Sequence, residues 1–213
     1  MLLILSVVAG AVVLGYVLGG RLSAFEGFRL RWWVLAPLGL FMQLAPVPVE
    51  GDVGDAIRVG LLIASYLVLF AFALSNIRVP GVPLILLGLA MNFVVITVNT
   101  GMPVSREALI ASHQEEAVDQ LEGGDIAKHH LATDDDALLF LADVIPVGRP
   151  FDQVVSAGDL VAYAGVMWLV AGIMRRRRSA TEPAPPPERS GPRPAGRRRS
   201  LRPGSSTPSG TQR

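Results

Sequence analysis

Val79–Val98 reads VPGVPLILLGLAMNFVVITV, twenty residues without a charged side chain. Crossing the hydrocarbon core of a bilayer takes about 20 apolar residues in a helix, so this stretch predicts a transmembrane span. The same reading extends in both directions. Met1–Gly20 is apolar and closed by Arg21, Val59–Leu74 is uncharged, and Val154–Met174 is a long, mostly apolar run. Arg58 can snorkel from the start of the third and lengthen it. Leu30–Val47 carries Trp32 and Trp33 near its start and is interrupted by Pro37, Gln43 and Pro46. Five spans are expected, at about 1–20, 30–47, 57–74, 79–98 and 154–174. The fold class is all-α: a polytopic membrane domain over 1–174 with an outer helical loop at 99–153, then a disordered tail at 175–213.

Composition agrees. Of 213 residues 51% are apolar and only 17% charged, where about a quarter is usual in a soluble protein. There is no cysteine, which excludes a disulfide framework, a thiolate nucleophile and any Cys-ligated metal centre. Of nineteen basic residues eighteen are Arg and one is Lys128, in a chain rich in Ala, Gly, Val and Pro; this usage suggests a GC-rich bacterial genome. The formal charge of +1 is a cancellation: residues 1–174 sum to −8 and residues 175–213, with 11 arginines and 2 glutamates, to +9.

The first span lacks the basic start of a signal peptide and is longer than its apolar core, so it is expected to stay as a helix. Ala11, Gly15 and Gly19 recur every fourth residue along it. Small residues at that spacing let two backbones approach closely, which makes this stripe a candidate for self-association. Arginine placement orients the bundle. Arg21, Arg29, Arg31, Arg78 and Arg175–Arg178 fall on one side, which the positive-inside rule makes cytoplasmic. The N-terminus, the segment 48–57 and the loop 99–153 are then outside, and the tail is inside. The expected location is the bacterial cytoplasmic membrane. Trp32 and Trp33 fall at its inner interface, where indoles are enriched.

From Ser179 the chain is Pro, Arg, Ser and Gly with almost no large apolar side chains. It cannot bury enough surface to offset ordering entropy. Its basic run Arg197–Arg199 is suited to anionic headgroups, worth about 1 kcal/mol per basic residue held near the surface. No aromatic residue interleaves the arginines to stack on bases, so no nucleic acid is expected as a partner.

The loop 99–153 carries 3 basic and 11 acidic side chains, a sum of −8, and its length predicts structure of its own. Ser105 can cap a helix running to about Glu122, with Gly123–Gly124 as a stop; Ile110, Ala117 and Leu121 would share one face of it. Thr133 can cap a second helix, followed by Asp134, Asp135 and Asp136 in the first turn, where carboxylates oppose the helix dipole. That role accounts for the three aspartates without a metal. The run Ala137–Val147, broken by Pro146, is too short to span and suits an interfacial or re-entrant helix.

Polar side chains in hydrocarbon need partners and are the natural functional candidates. Asn92 and Asn99 lie two helical turns apart on one face, and with Gln43 and Thr97 they fall in the outer half of the bilayer. Asp143 and Asp159 approach the same level from the loop and from the last span, and His113 belongs to the loop helix. Asn92, Asn99, Asp143, Asp159, Gln43 and His113 thus form a candidate polar cluster. The plainer alternatives are helix–helix hydrogen bonds for the asparagines and a capping role for Asp159, since Ser156-Ala-Gly-Asp159 has capping-box spacing. The three histidines lack metal-ligand spacing, and His129–His130 read as solvated connector residues. No phosphate loop, dinucleotide fingerprint, H-E-x-x-H or G-x-S-x-G motif is present, so no cofactor, no metal and no catalytic residue is assigned.

Asn92-Phe-Val-Val-Ile-Thr-Val-Asn99-Thr-Gly-Met-Pro-Val-Ser105, followed by Leu-Ala-Asp143-Val-Ile-Pro146 and Ser156-Ala-Gly-Asp159, resembles a family of small bacterial multi-pass membrane proteins known only as a domain of unknown function. The matching positions are Asn92, Asn99, Gly101, Met102, Pro103, Ser105, His113, Asp143, Pro146, Gly158 and Asp159. The resemblance covers roughly 1–174 and implies a membrane location and no known activity. The leading functional expectation is a non-enzymatic membrane component that binds a partner or lipid through its outer loop. The alternative is a small membrane enzyme or transporter using the outward polar cluster, which requires those side chains to converge.

Overall fold

The computed structural model describes residues 2–49, 51–122 and 129–176. Gly123–Gly124, Lys128 and the tail from residue 177 onward, including Arg197–Arg199, lie outside the described residues. The helices are α1 (Leu2–Val17), α2 (Leu35–Leu44), α3 (Gly51–Ser75), α4 (Val82–Asn99), the short α5 (Arg106–Ala111) and α6 (Glu115–Glu122), and α7 (Ala157–Met174). They belong to one unit, residues 1–178. Among the described residues three are long and apolar enough to cross a membrane: Ala56–Ser75 within α3, α4 and α7.

The other two expected spans are shorter apolar helices. α1 has 16 residues and rises about 24 Å against a hydrocarbon core of about 30 Å; it ends in a turn with Gly19 at φ +78. In place of a span over 30–47, α2 has ten residues. Trp32 adopts φ +50 in the turn before it, and Ala45 is extended, as the residue ahead of a proline tends to be. α3 compensates by starting at Gly51, inside the stretch read as a connection.

The packing order is α2, α3, α4, α7, α1. Its tightest step is α4 against α7, where glycines let the backbones touch. A Cβ on Gly88 would strike the Gly158 carbonyl oxygen and Ala162, and one on Gly81 would strike the Gly165 carbonyl oxygen and Leu169. Each helix contributes two glycines seven residues apart, so both contacts lie on one face of each antiparallel partner. The α1 stripe is used in a related way. Ala11 and Gly15 are the buried residues of α1, and Gly15 lies under the Met174 side chain of α7. Gly19 is open, and Gly20 meets Met174 instead.

The loop departs from the all-helical expectation. The helix predicted over 105–122 is broken at Ser112–Gln114, with His113 at φ +60. Ser105 does cap its first part, accepting from the Ala108 N–H. The break shifts the buried face, so Leu109 and Val118 enter the core with Val104, while Ile110 is exposed. No helix starts at Thr133. The Asp136 carboxylate accepts from the Thr133 N–H and hydroxyl at 2.8 and 3.0 Å and lies 2.8 Å from His130 Nε2, which closes a turn where a helix was expected. Four three-residue strands complete the loop: β1 (Met102–Val104), β2 (His129–Leu131), β3 (Ile145–Val147) and β4 (Gln153–Val155). β1 and β2 pair in parallel, β3 and β4 antiparallel. Val95 of α4 packs on Met102 and Ala142, fastening the loop to the bundle.

Gly88→Val places a branched side chain against the α7 backbone. Overpacking of this kind costs about 1–3 kcal/mol or more, so the detergent-solubilised variant should melt well below wild type. Gly60→Val, where a Cβ meets nothing within 4 Å, should melt near it; equal melting of the two variants would contradict this helix crossing.

Candidate functional site

The crossing of α4 and α7 places Asn92 directly over the start of α7. Ser156 is the N-cap of α7, and its hydroxyl accepts from the Asp159 N–H at 2.9 Å while the Asp159 carboxylate accepts from the Ser156 N–H at 3.1 Å. This is the reciprocal capping box expected from the spacing. Asn92 joins it from the other helix. Its Nδ2 donates to Asp159 Oδ1 at 2.8 Å, and its Oδ1 accepts from the Ser156 hydroxyl at 3.0 Å. Gly158 makes room for this arrangement, since a Cβ there would occupy the position of Asn92 Oδ1. Asp159 is therefore both a cap and a member of the cluster.

Above this knot lies a cavity of about 270 Å³. Gln43 of α2, Tyr66 of α3, Asn92 of α4 and Asp159 of α7 line it from the bundle; Met102, His129 and Asp143 line it from the loop. Leu44, Leu62 and Ile96 supply apolar wall. Tyr66 is set by an aromatic group with Phe70 and Phe93, its ring centroid 5.3 Å from that of Phe93. The loop residues are set by β1. His129 is paired with Met102 in the β1–β2 ladder. Asp143 flanks β1 through a bridge to Val104, its N–H donating to the Pro103 carbonyl at 3.1 Å and its carbonyl accepting from the Ser105 N–H at 2.9 Å.

Asp143 is the electrostatically unusual member. His129 Nε2 stands 3.8 Å from Asp143 Oδ2, beyond direct hydrogen-bonding distance. Among the described residues Asp143 Oδ1 is buried with no hydrogen-bond partner, an arrangement that costs about 1–3 kcal/mol when nothing donates to the oxygen. Burial, reinforced by the negative charge of Asp159, pushes the Asp143 carboxyl from 3.8 up to about 7. Asp136 behaves differently. Burial would raise it, but hydrogen bonds from the Thr133 N–H, His130 and the Thr133 hydroxyl outweigh that and hold it below the usual carboxylate range. Among the described residues no three His, Asp or Glu side chains converge as a metal ion would require.

Four of the six candidate residues thus meet around one cavity: Gln43, Asn92, Asp143 and Asp159. Asn99 does not. It exchanges hydrogen bonds with the backbone of Ala137, donating to its carbonyl at 2.9 Å and accepting from its N–H at 2.8 Å, and so ties the loop to the end of α4. His113 is exposed at the α5–α6 turn. Tyr66 and His129 were not among the candidates. Tyr66 reads as one aromatic in an apolar span, and His129 reaches the cavity only through a parallel pairing with residues 27 positions away.

The raised Asp143 has a consequence for stability. The folded state holds a proton on this group that the unfolded chain releases between about pH 4 and 7. Its contribution is fully present below the unfolded value of 3.8 and is lost as pH rises through about 7. Asn mimics the protonated carboxyl without titrating. Asp143→Asn should therefore exceed wild type in stability at about pH 8, by an amount on the order of a few kcal/mol at most, with the difference closing toward about pH 4. Thermal unfolding in detergent across this range measures it; a variant less stable than wild type at pH 8 would show that the carboxylate is well solvated or paired.

No curated protein and no solved structure matches the chain. A family model does, over residues 27–171, a range that takes in the whole cavity and the Asn92–Ser105, Asp143–Pro146 and Ser156–Asp159 motifs and leaves α1 outside. The chain belongs to the family of unknown function DUF5317.

Proposed function

We propose that this protein is a multi-pass membrane component that binds a small organic cation, an amine-bearing molecule, in the cavity between the bundle and the loop. One observation carries the reading: Asp143 and Asp159 share a cavity that no Arg or Lys lines among the described residues. An ammonium group supplies the donors that Asp143 Oδ1 lacks and balances the second carboxylate, while Gln43, Asn92 and Tyr66 offer orienting hydrogen bonds. At about 270 Å³ the space is at the small end of ligand pockets, which run from about 300 to 1,000 Å³, so the ligand has few heavy atoms. This is a binding role, as in the leading expectation, exercised through the polar cluster of the alternative.

Protons and the cation compete for Asp143. A panel of small primary and quaternary amines, titrated onto nanodisc-embedded protein, should include a ligand that raises the melting temperature at about pH 8 and does so less at about pH 6, because affinity falls as Asp143 takes up its proton. Asp143→Asn should abolish the response. A panel in which anionic and neutral compounds stabilise the protein as well as amines do would overturn the assignment.

The arrangement in the membrane is part of the same proposal: five crossings in the bacterial cytoplasmic membrane, α1 and α2 included, with the loop outside and the arginine tail inside. Arginine placement supports it, since Arg21, Arg29, Arg31, Arg78 and Arg175–Arg178 would share the inner side. A C-terminal alkaline phosphatase fusion should be inactive and a C-terminal fluorescent protein fusion bright in whole cells. The opposite pair of results places the loop inside.

A further inference from the structure

At the end of α7 remote from the loop, a second cavity of about 650 Å³ opens among Gly19, Arg21, Ser23, Arg175 and Arg176. The local chain path builds it. The Arg21 N–H donates to the Met174 carbonyl at 2.8 Å, pinning the exit of α1 to the end of α7. The Arg176 guanidinium lies over the Phe28 ring at 5.3 Å, which holds the connection against the same end. Gly19 has nothing within 4 Å of where a side chain would begin, so the cavity is open on that side. Among the described residues no carboxylate forms an ion pair with Arg21, Arg175 or Arg176. Three arginines line a space large enough for a phosphate ester, and Arg binds phosphate through paired N–H groups.

A groove of about 380 Å³ adjoins it along α1 and α7, lined by Leu14, Leu18, Met167, Trp168 and Ala171. The two spaces share Leu18 and Arg175, so the polar cavity continues into an apolar channel on the side of the bundle. Position fits this division. The 18 residues of α7 rise about 27 Å, close to the thickness of the hydrocarbon core. With the loop at one interface, the arginines stand at the other and the groove lies in the acyl region.

We infer that this is a binding site for an anionic glycerophospholipid, its phosphate held by Arg21 and Arg175 and one acyl chain lying in the α1–α7 groove. The charge of the cavity selects the headgroup, and the continuity of the groove selects a lipid over a free phosphate. The inference is independent of the ligand proposed for the other end of the bundle, and it concerns residues on the helices and not the tail.

Native mass spectrometry of the full-length protein with phosphatidylglycerol or phosphatidylcholine tests it. Wild type should retain phosphatidylglycerol preferentially. Arg21→Gln combined with Arg175→Gln, both exposed positions, should lower that preference by about 25-fold, at roughly fivefold per arginine near the headgroup. Ala164→Trp, which fills the groove from an exposed position, should weaken phosphatidylglycerol retention by about tenfold, the effect of exposing two methylenes, and leave glycerol phosphate binding unchanged. Equal retention of the two lipids by wild type overturns the site. A preference undiminished in the double variant assigns it to the tail and overturns it as well. Sensitivity to the arginine substitutions with none to Ala164→Trp means a soluble phosphate ligand and refutes the lipid.

Discussion

Everything at the loop end of this molecule depends on how closely α4 approaches α7. In a membrane no hydrophobic force drives helices together, so association rests on packing and on polar groups that find partners. Gly81, Gly88, Gly158 and Gly165 remove the side chains that would hold these backbones apart. The polar partners follow from that approach. Only with Gly158 bare does Asn92 reach both the Ser156 hydroxyl and the Asp159 carboxylate, and only then does a cap at the start of one helix become part of a network shared by two. The network engages both oxygens of Asp159, one from Asn92 and one from the Ser156 N–H, at the wall of the cavity.

The loop completes what the crossing begins. Its short strands have little stability as isolated hairpins; they persist because Val95, Met102 and Ala142 pack the loop on α4, because Val104, Leu109 and Val118 form a core within it, and because Asn99 bonds the Ala137 backbone on both sides. Asp143 is carried by that framework and not by a helix. Its backbone bonds to Pro103 and Ser105, on either side of Val104, hold the carboxyl over the cavity at the expense of its solvation.

Legibility in the sequence follows the range of the interaction. The apolar runs of α3, α4 and α7 are local and were read within a few residues at most ends. The capping box of Ser156 and Asp159 is also local, and it folds as its spacing indicated. The ends of α2 fall short of the expected span because composition does not report a positive-φ turn at Trp32 or the effect of Pro46 on Ala45. The loop is helical over α5 and α6 and departs from that pattern where the Thr133–Asp136 bond closes a turn with residues that also cap helices. The α1 stripe recurs every fourth residue and the α4–α7 glycines every seventh, and nothing in spacing alone says which helix pairs with which. Gln43, Asn92, Asp143 and Asp159 converge as the span boundaries suggested, whereas Tyr66 and His129 depend on side-chain packing and a parallel strand pairing with no local signature.

The two cavities set opposite charges at the two ends of α7. A helix of about 27 Å separates a space walled by carboxylates from one walled by guanidinium groups. In a medium that screens poorly, charges of opposite sign at the two ends of α7 interact with its dipole in the favourable sense: Asp159 lies in the first turn and Arg175 at the C-cap, as the macrodipole prefers. Reversing either charge would oppose the helix dipole as well as change the sign of the cavity beside it. The same placement that stabilises the helix therefore ties the charge of each cavity to the one helix that touches both.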